Sequence, residues 1–373
     1  MIYQVIIMKK TKEIFISAFL ILSALLCIFA GEPIKTAVSA SIERCLLTVI
    51  PSLYAMTAIS GILMESGTVS AAGRILHKAG RFLFGIDGDI FVIFIFSAIA
   101  GYPIGAKMLL TSYTSGRIEK KEAQLLSGVC FGAGPAFIYG CIAAPVFHSP
   151  KAGLLIIVSS SAANILLAAF LSFYLRRKGS GAPERANVYL RSDMLSDCVA
   201  SAGKSMCNIC FAVIAFGVIS GLLISTGILP EIAGLIEKLT DREFYTSAKL
   251  VCSALDVTAV STLPAGDMTL LPAVTALVSF GGACVFMQIS AIFRGKLSLA
   301  PAVILRTAAA FLSYGICRIL LPLFIAGETV TASVPAAKIH QQPSPVPSLL
   351  LIIMTGMLLS NAKKGGKLRR QHL

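Results

Sequence analysis

Gly101-Tyr102-Pro103-Ile104-Gly105-Ala106-Lys107 lies inside an apolar stretch, 91–113, that is long enough to cross a bilayer but poorly suited to an unbroken helix. Proline removes a backbone donor and clashes with the preceding turn. Backbone groups freed within hydrocarbon must face protein or a wet cavity. A second stretch, 250–266, is interrupted in the same manner, by Asp256 and then by Pro264-Ala265-Gly266. The two broken stretches are therefore the places where a membrane protein would open a polar site.

The rest of the chain supplies the membrane. Of 373 residues, 56% are hydrophobic and 13% charged, against roughly 25% charged in soluble domains. Apolar runs near the length of about 20 residues needed to span hydrocarbon predict spans at 14–30, 45–64, 125–146, 152–175, 205–229, 271–293, 301–326 and 347–360. The fold expected is all-α: a polytopic membrane protein with about eight transmembrane helices plus two re-entrant or broken segments. The first 30 residues resemble a signal peptide, but Ile28 spoils the cleavage pattern, so an uncleaved first helix is expected.

The net charge of +14 falls beside the apolar runs, at Lys9, Lys10 and Lys12, at Arg74, Lys78 and Arg81, at Arg176, Arg177 and Lys178, and from Lys363 to Arg370. Cytoplasmic loops carry this bias, and no basic soluble domain is present for nucleic acid. With both termini cytoplasmic, loop 31–44 falls outside and loop 65–90 inside. Arg117, Lys120 and Lys121 also fall inside if 91–113 dips in and returns. Arg294 and Lys296 follow suit if 250–266 does the same from the other face.

Phe131-Gly132-Ala133-Gly134-Pro135-Ala136-Phe137 lies 149 residues before Phe280-Gly281-Gly282-Ala283-Cys284-Val285-Phe286. Each sits in the same order of elements: span, broken stretch, span with the glycine motif, span. The units begin on opposite faces, which predicts an inverted repeat of the kind secondary transporters use. The expected organisation is an N-terminal helix with flanks (1–38), a first repeat (39–178), a cytoplasmic linker (179–204) and a second repeat (205–326). A proline-rich linker (327–347) and a short final span with a basic tail (348–373) complete it.

Candidate solute-binding residues follow from the breaks. Gly101 and Gly105, on either side of Tyr102 and the helix-breaking Pro103, expose backbone N–H groups suited to an anion, and Lys107 adds a charge that is costly in a membrane and seldom idle. Asp256, with Thr258 beside it, would hold a cation, a proton or a substrate, or would pair with Lys107 or Arg306. Gly132, Gly134 and Pro135 are expected to unwind their span at mid-depth, and Gln288 to complete the site from the second unit. Asn164 and Gln288 also suit interhelical hydrogen bonding, and Arg306 is expected to snorkel. Ten cysteines lie mostly in apolar runs and behave as small hydrophobes; the Cys207/Cys210 pair has no second pair or histidine to make a metal site. His77, His148, His340 and His372 are scattered, and no hydrolase, zinc-protease or phosphate-loop motif occurs. The chain is thus read as a non-enzyme without cofactor or metal.

SAIAGYPIGAK from Ser97, FGAGPAFIYG from Phe131, FGGACVFMQISAIFRG from Phe280 and the early Val49-Ile50-Pro51-Ser52-Leu53 fall in the order seen in another group of proteins. Over about residues 40 to 325 the chain resembles the YlbJ-like sporulation integral membrane proteins, which carry the nucleoside-recognition Gate domain. The resemblance implies transport of dipicolinic acid across the outer forespore membrane. The family's asparagines before the first glycine-proline are replaced here by Phe131, Gly132 and Ala133, and its glutamate-threonine element reads Asp256-Val257-Thr258-Ala259. The expected partners are a small anionic solute and membrane lipid, not nucleic acid, with a homo-oligomer left open. A nucleoside or other small solute, or a non-transporting scaffold for spore or envelope assembly, are the alternatives.

Overall fold

The computed structural model describes residues 30–175, 188–191 and 193–325, together with Ser17, Ile21, Ala24, Leu25 and Ile28 of an earlier helical stretch. Among these residues every regular element is helical. The expected spans 14–30 and 347–360, the proline-rich linker and the tail lie wholly or largely outside them.

The first half comprises α1 (Gly31–Glu65), α2 (Thr68–Phe84), α3 (Gly88–Ala100), α4 (Tyr102–Thr114) and α5 (Lys120–Leu126). A short α6 (Pro135–Phe137, continued by a π turn at Ile138–Ala143) and α7 (Pro150–Leu175) complete it. The second half comprises α8 (Met194–Ser225), α9 (Ile228–Thr240) and α10 (Phe244–Leu255), then 3-10 turns at Val257–Thr262 and Met268–Leu270. It ends with α11 (Leu271–Phe280), α12 (Gly282–Phe293) and α13 (Ala300–Ile325). Five helices are long and apolar enough to cross a membrane: Gly31–Glu65, Pro150–Phe173, Met194–Ser225, Met268–Phe293 and Ala300–Phe324. A sixth is added if α2 and α3, bent by 83°, count as one. Of the eight expected spans, 14–30 and 347–360 lie largely or wholly outside the described residues, so five or six helices stand against six expected among them.

Two boundaries move. The expected outside loop 31–44 is helix, continuous with the span after it through one π turn, Cys45–Val49. Thirty-five residues make a rod of about 52 Å at 1.5 Å per residue. Polar residues in 31–44 disguised the helix, which is held because it lies antiparallel along α8. A Cβ on Gly221 would lie 2.6 Å from the Ile34 Cα, and one on Gly217 would lie 2.5 Å from the Ser41 Oγ. Small residues permit that approach, as they do in membrane helix pairs. The expected linker 179–204 likewise ends early, at Met194. The expected span 125–146 is interrupted: α5 stops at Leu126 and 131–134 runs without regular structure before α6.

The two halves pass through the same order of elements. Each opens on a long helix (α1, α8) that ends at a left-handed glycine, Gly67 with φ 77° or Gly227 with φ 79°. An amphipathic helix follows (α2, α9), then an acidic residue before a short helix (Asp87 before α3, Glu243 before α10). That helix stops at Gly101 or Asp256. Next comes a span broken at the F-G motif, and last a 26-residue helix (α7, α13).

Both broken stretches fold back on themselves. Within 88–114 a Cβ on Gly105 would lie 2.7 Å from the Ser97 Cβ, a contact that eight residues of straight helix, about 12 Å long, forbid. The two ends are tied together: Arg117 Nη1 lies 3.6 Å from Asp89 Oδ2 and donates to Ser70 Oγ at 2.7 Å. At the second stretch Arg242, before α10, donates to Asp267 Oδ2 (3.4 Å) and to Thr269 Oγ1 (3.1 Å), beyond the return. The ties sit at opposite ends of the α1–α8 pair. Arg117 and Ser70 adjoin the Glu65 end of α1, where α8 begins; Arg242 adjoins the Ser225 end of α8.

Candidate functional site

The broken spans each pack their glycines on the tip of the folded stretch in their own half. A Cβ on Gly134 would meet Ile99 O at 2.8 Å, and one on Gly282 would meet the Val257 N at 3.1 Å and Ala254 O at 3.2 Å. The breaks meet at an aromatic cluster. Phe131 lies 4.9 Å from Tyr102 and 6.1 Å from Phe286, ring centre to ring centre, and a Cβ on Gly281 (φ 92°) would lie 2.6 Å from the Phe131 Cζ. Glycine is required there on both counts, conformation and space.

Protein side chains satisfy the carbonyls that unwinding frees. Tyr102 donates its hydroxyl to Val278 O at 2.7 Å, in the last turn of α11. Arg306, 0% exposed, donates to Phe131 O at 3.2 Å and to Asn164 Oδ1 at 2.6 Å; Asn164 also donates to Phe131 O at 2.8 Å. The guanidinium stacks on the Phe131 ring at 4.8 Å. Arg306 therefore does not snorkel, because it is one of two side chains bonded to the carbonyl at the first break. Asn164 makes the interhelical hydrogen bond expected of it as the acceptor from Arg306. Neither cavity described below includes Gly101, Tyr102, Gly105, Gly132, Gly134 or Pro135 in its lining. These residues build the break.

Two cavities approach the breaks from opposite ends of α8. The one nearer the start of α8, named the inner cavity for that position alone, has about 740 Å³ and is lined by Pro103, Lys107, Lys204, Gln288, Arg294 and Lys296 among others, and by no aspartate or glutamate. Lys107 Nζ donates to Ser201 Oγ (3.2 Å) and Ser205 Oγ (3.3 Å) on α8. Among the described residues none of its four cations forms an ion pair. Walls of low polarity carrying one sign of charge concentrate the field and raise the local level of counter-charged solute. Gln288, 8% exposed, donates to Cys284 Sγ within its own helix at 3.4 Å, and so does not join two helices.

The outer cavity, about 510 Å³, reaches Arg44 and Asp256 between α1, α8 and α10. Asp256 is 4% exposed. Its Oδ1 accepts from Thr258 N at 3.1 Å and its Oδ2 from the Thr258 hydroxyl at 2.7 Å, capping the 3-10 turn. Arg44 Nη2 lies 3.4 Å from Oδ2. The partner of Asp256 is thus Arg44, not Lys107 or Arg306, and Asp256 with Thr258 stands in a different cavity from Lys107 and Gln288. Arg44 is one cavity residue that the sequence does not announce, because 31–44 reads as a polar loop when taken alone.

Only a thin septum separates the cavities. Ala212 lines the inner one and Phe216 the outer one, one turn apart on α8, or about 6 Å. Between them pack Cys45, Val213 and Cys284, with Cys210, Leu255 and Ala283 at the edge. Cys210 of the CxxC pair therefore packs in the septum, and its carbonyl accepts from Cys45 Sγ at 3.8 Å. No group of three metal-ligating side chains occurs among the described residues. No family model matches the chain, and neither a curated protein nor a solved structure is significantly similar to it.

Proposed function

We propose that this chain is a membrane transporter of a small organic anion, built as an inverted repeat with both termini cytoplasmic. The inner cavity carries the reading: four cations, no carboxylate and a volume inside the range of about 300–1,000 Å³ typical of small-molecule sites. Its rim bears Arg294 and Lys296, and the same end of the molecule bears Arg74, Lys78, Arg81, Lys120 and Lys121. The positive-inside bias makes that end cytoplasmic. The two folded stretches then enter from opposite faces, with a cavity on each side of one thin septum, the arrangement alternating access needs. A dicarboxylate such as dipicolinate fits the charge, in keeping with the resemblance to the sporulation proteins.

Lys107 is the cation placed deepest, beside the fold of the first broken stretch. Losing one charge-assisted hydrogen bond costs about 1.5–3 kcal/mol, or roughly 10–100-fold in affinity. Lys107→Ala is therefore expected to raise the half-saturating dipicolinate concentration by at least tenfold in proteoliposome counterflow. Equal uptake by the variant and the unaltered protein rules out Lys107 as the receptor. Uridine competing where dipicolinate does not turns the cargo into a nucleoside. Flux no greater than in empty vesicles, for every solute tried, leaves the scaffold.

A further inference from the structure

We infer that Arg44 is a second carboxylate receptor, in the outer cavity, and that Asp256 is the internal carboxylate occupying it until a solute anion takes its place. The inference rests on the reading of the chain as an anion transporter and adds a position at the opposite face.

The geometry around Arg44 is uneven in a way that a purely structural ion pair does not require. Arg44 Nε is committed to Thr258 Oγ1 at 3.2 Å and Nη2 to Ser41 Oγ at 2.9 Å. Those two bonds fix the plane of the guanidinium without Asp256. The contact from Nη2 to Asp256 Oδ2 is the longest of the set at 3.4 Å. Nη1 makes no hydrogen bond to any described residue, and the side chain lines the outer cavity at 16% exposure. One edge of a fixed guanidinium therefore remains open on a cavity large enough for a small acid.

Asp256 is equally prepared to lose Arg44. Both of its oxygens accept hydrogen bonds from Thr258, so a solute that takes the guanidinium leaves neither oxygen without a donor. What opposes the exchange is charge: an arriving carboxylate meets the Asp256 carboxylate at close range. Like charges a few ångströms apart repel strongly at the effective dielectric found in and near proteins. Asp256 thus keeps Arg44 occupied when the cavity is empty, and it tunes how tightly an anion binds when the cavity is filled. The position fits this task. Arg44 is the last residue before the π turn Cys45–Val49, an irregularity frequent at functional sites, and the next residue, Cys45, belongs to the septum.

Opposite effects at the two partners separate this assignment from a structural pair. Binding of radiolabelled dipicolinate and of benzoate would be measured by equilibrium dialysis on the purified full chain in detergent, with counterflow in proteoliposomes alongside. Asp256→Asn keeps an acceptor for Thr258 while removing the charge; it is expected to bind at least one of the two probes about tenfold more tightly. Arg44→Gln is expected to lose that gain in the Asp256→Asn background. Arg44→Lys, which keeps the charge, guards against simple misfolding and should bind between the two. Loss of binding of similar size in Asp256→Asn and Arg44→Gln, with counterflow intact in the unaltered protein, overturns the exchange and leaves the transport reading standing. Tight binding by Asp256→Asn with no flux in any sample removes transport and keeps the receptor. Failure of every sample to bind either probe overturns the receptor assignment.

Discussion

Arg306→Ala is expected to lower the thermal midpoint of the purified protein in detergent by about 4 °C. The side chain is fully buried, and it donates to Phe131 O and Asn164 Oδ1 while stacking on the Phe131 ring. Truncation orphans Asn164 Oδ1 at about 1–3 kcal/mol, leaves Phe131 O with Asn164 as its remaining side-chain donor, and opens a cavity, which adds to the cost. It also removes a buried cation whose Nε has no partner, and that relief works in the other direction. The orphaned acceptor and the cavity outweigh it, and a net loss of about 3 kcal/mol follows. At roughly 1–2 °C per kcal/mol for a chain of 373 residues, the shift is large enough to read by fluorescence-detected size exclusion. Asn164→Ala removes the shorter of the two bonds Arg306 makes but leaves Arg306 on Phe131 O, so its midpoint should fall by about half as much. An Arg306→Ala midpoint within a degree of the unaltered protein would show that the break is held by its glycines alone.

Arg306 also marks the limit of what the sequence conveys. A lone arginine six residues into an apolar run reads as a snorkelling side chain, because nothing local announces a carbonyl 175 residues away. The breaks themselves were legible: Gly101 and Asp256 end their helices where glycine, proline and charge interrupt the apolar pattern. The order of elements in the two halves was legible too, down to the F-G motif beside each break. Arg44 was not, since 31–44 looks polar when read alone and becomes helix only against the small residues of α8. The inner cavity was half legible. Lys107 and Gln288 stand out as intramembrane polar residues, whereas Lys204, Arg294 and Lys296 look like ordinary basic loop residues until α4, α8 and α12 are brought together. Cavities are products of packing, and single-residue chemistry names only those members whose burial is already unusual.

Cysteines placed at His148 and Glu231 are expected to react with a membrane-impermeant maleimide added to intact cells, and cysteines at Lys120 and Lys296 to react only after permeabilisation. All four positions are exposed in the structure, so reagent access is decided by face alone. Lys120 follows the Arg117–Asp89 tie of the first folded stretch, and Lys296 follows α12 at the rim of the basic cavity. His148 lies two residues from Val146, whose carbonyl accepts from Gly266 N at 2.7 Å, which places it beside the Arg242–Asp267 tie of the second stretch. Glu231 is in the first turn of α9, which follows the far end of α8. The labelling expected is close to all-or-none, with the background set by the unaltered chain and its native cysteines. Glu231 and Lys296 labelled together from outside would place both folded stretches on one face, and the two cavities would then not serve opposite sides. With the expected pattern, the basic cavity faces the cytoplasm and the Arg44 cavity the other side. An anion crossing the protein would then have to pass the one-turn septum around Cys45, Val213 and Cys284, which makes those small side chains the place where closure is decided.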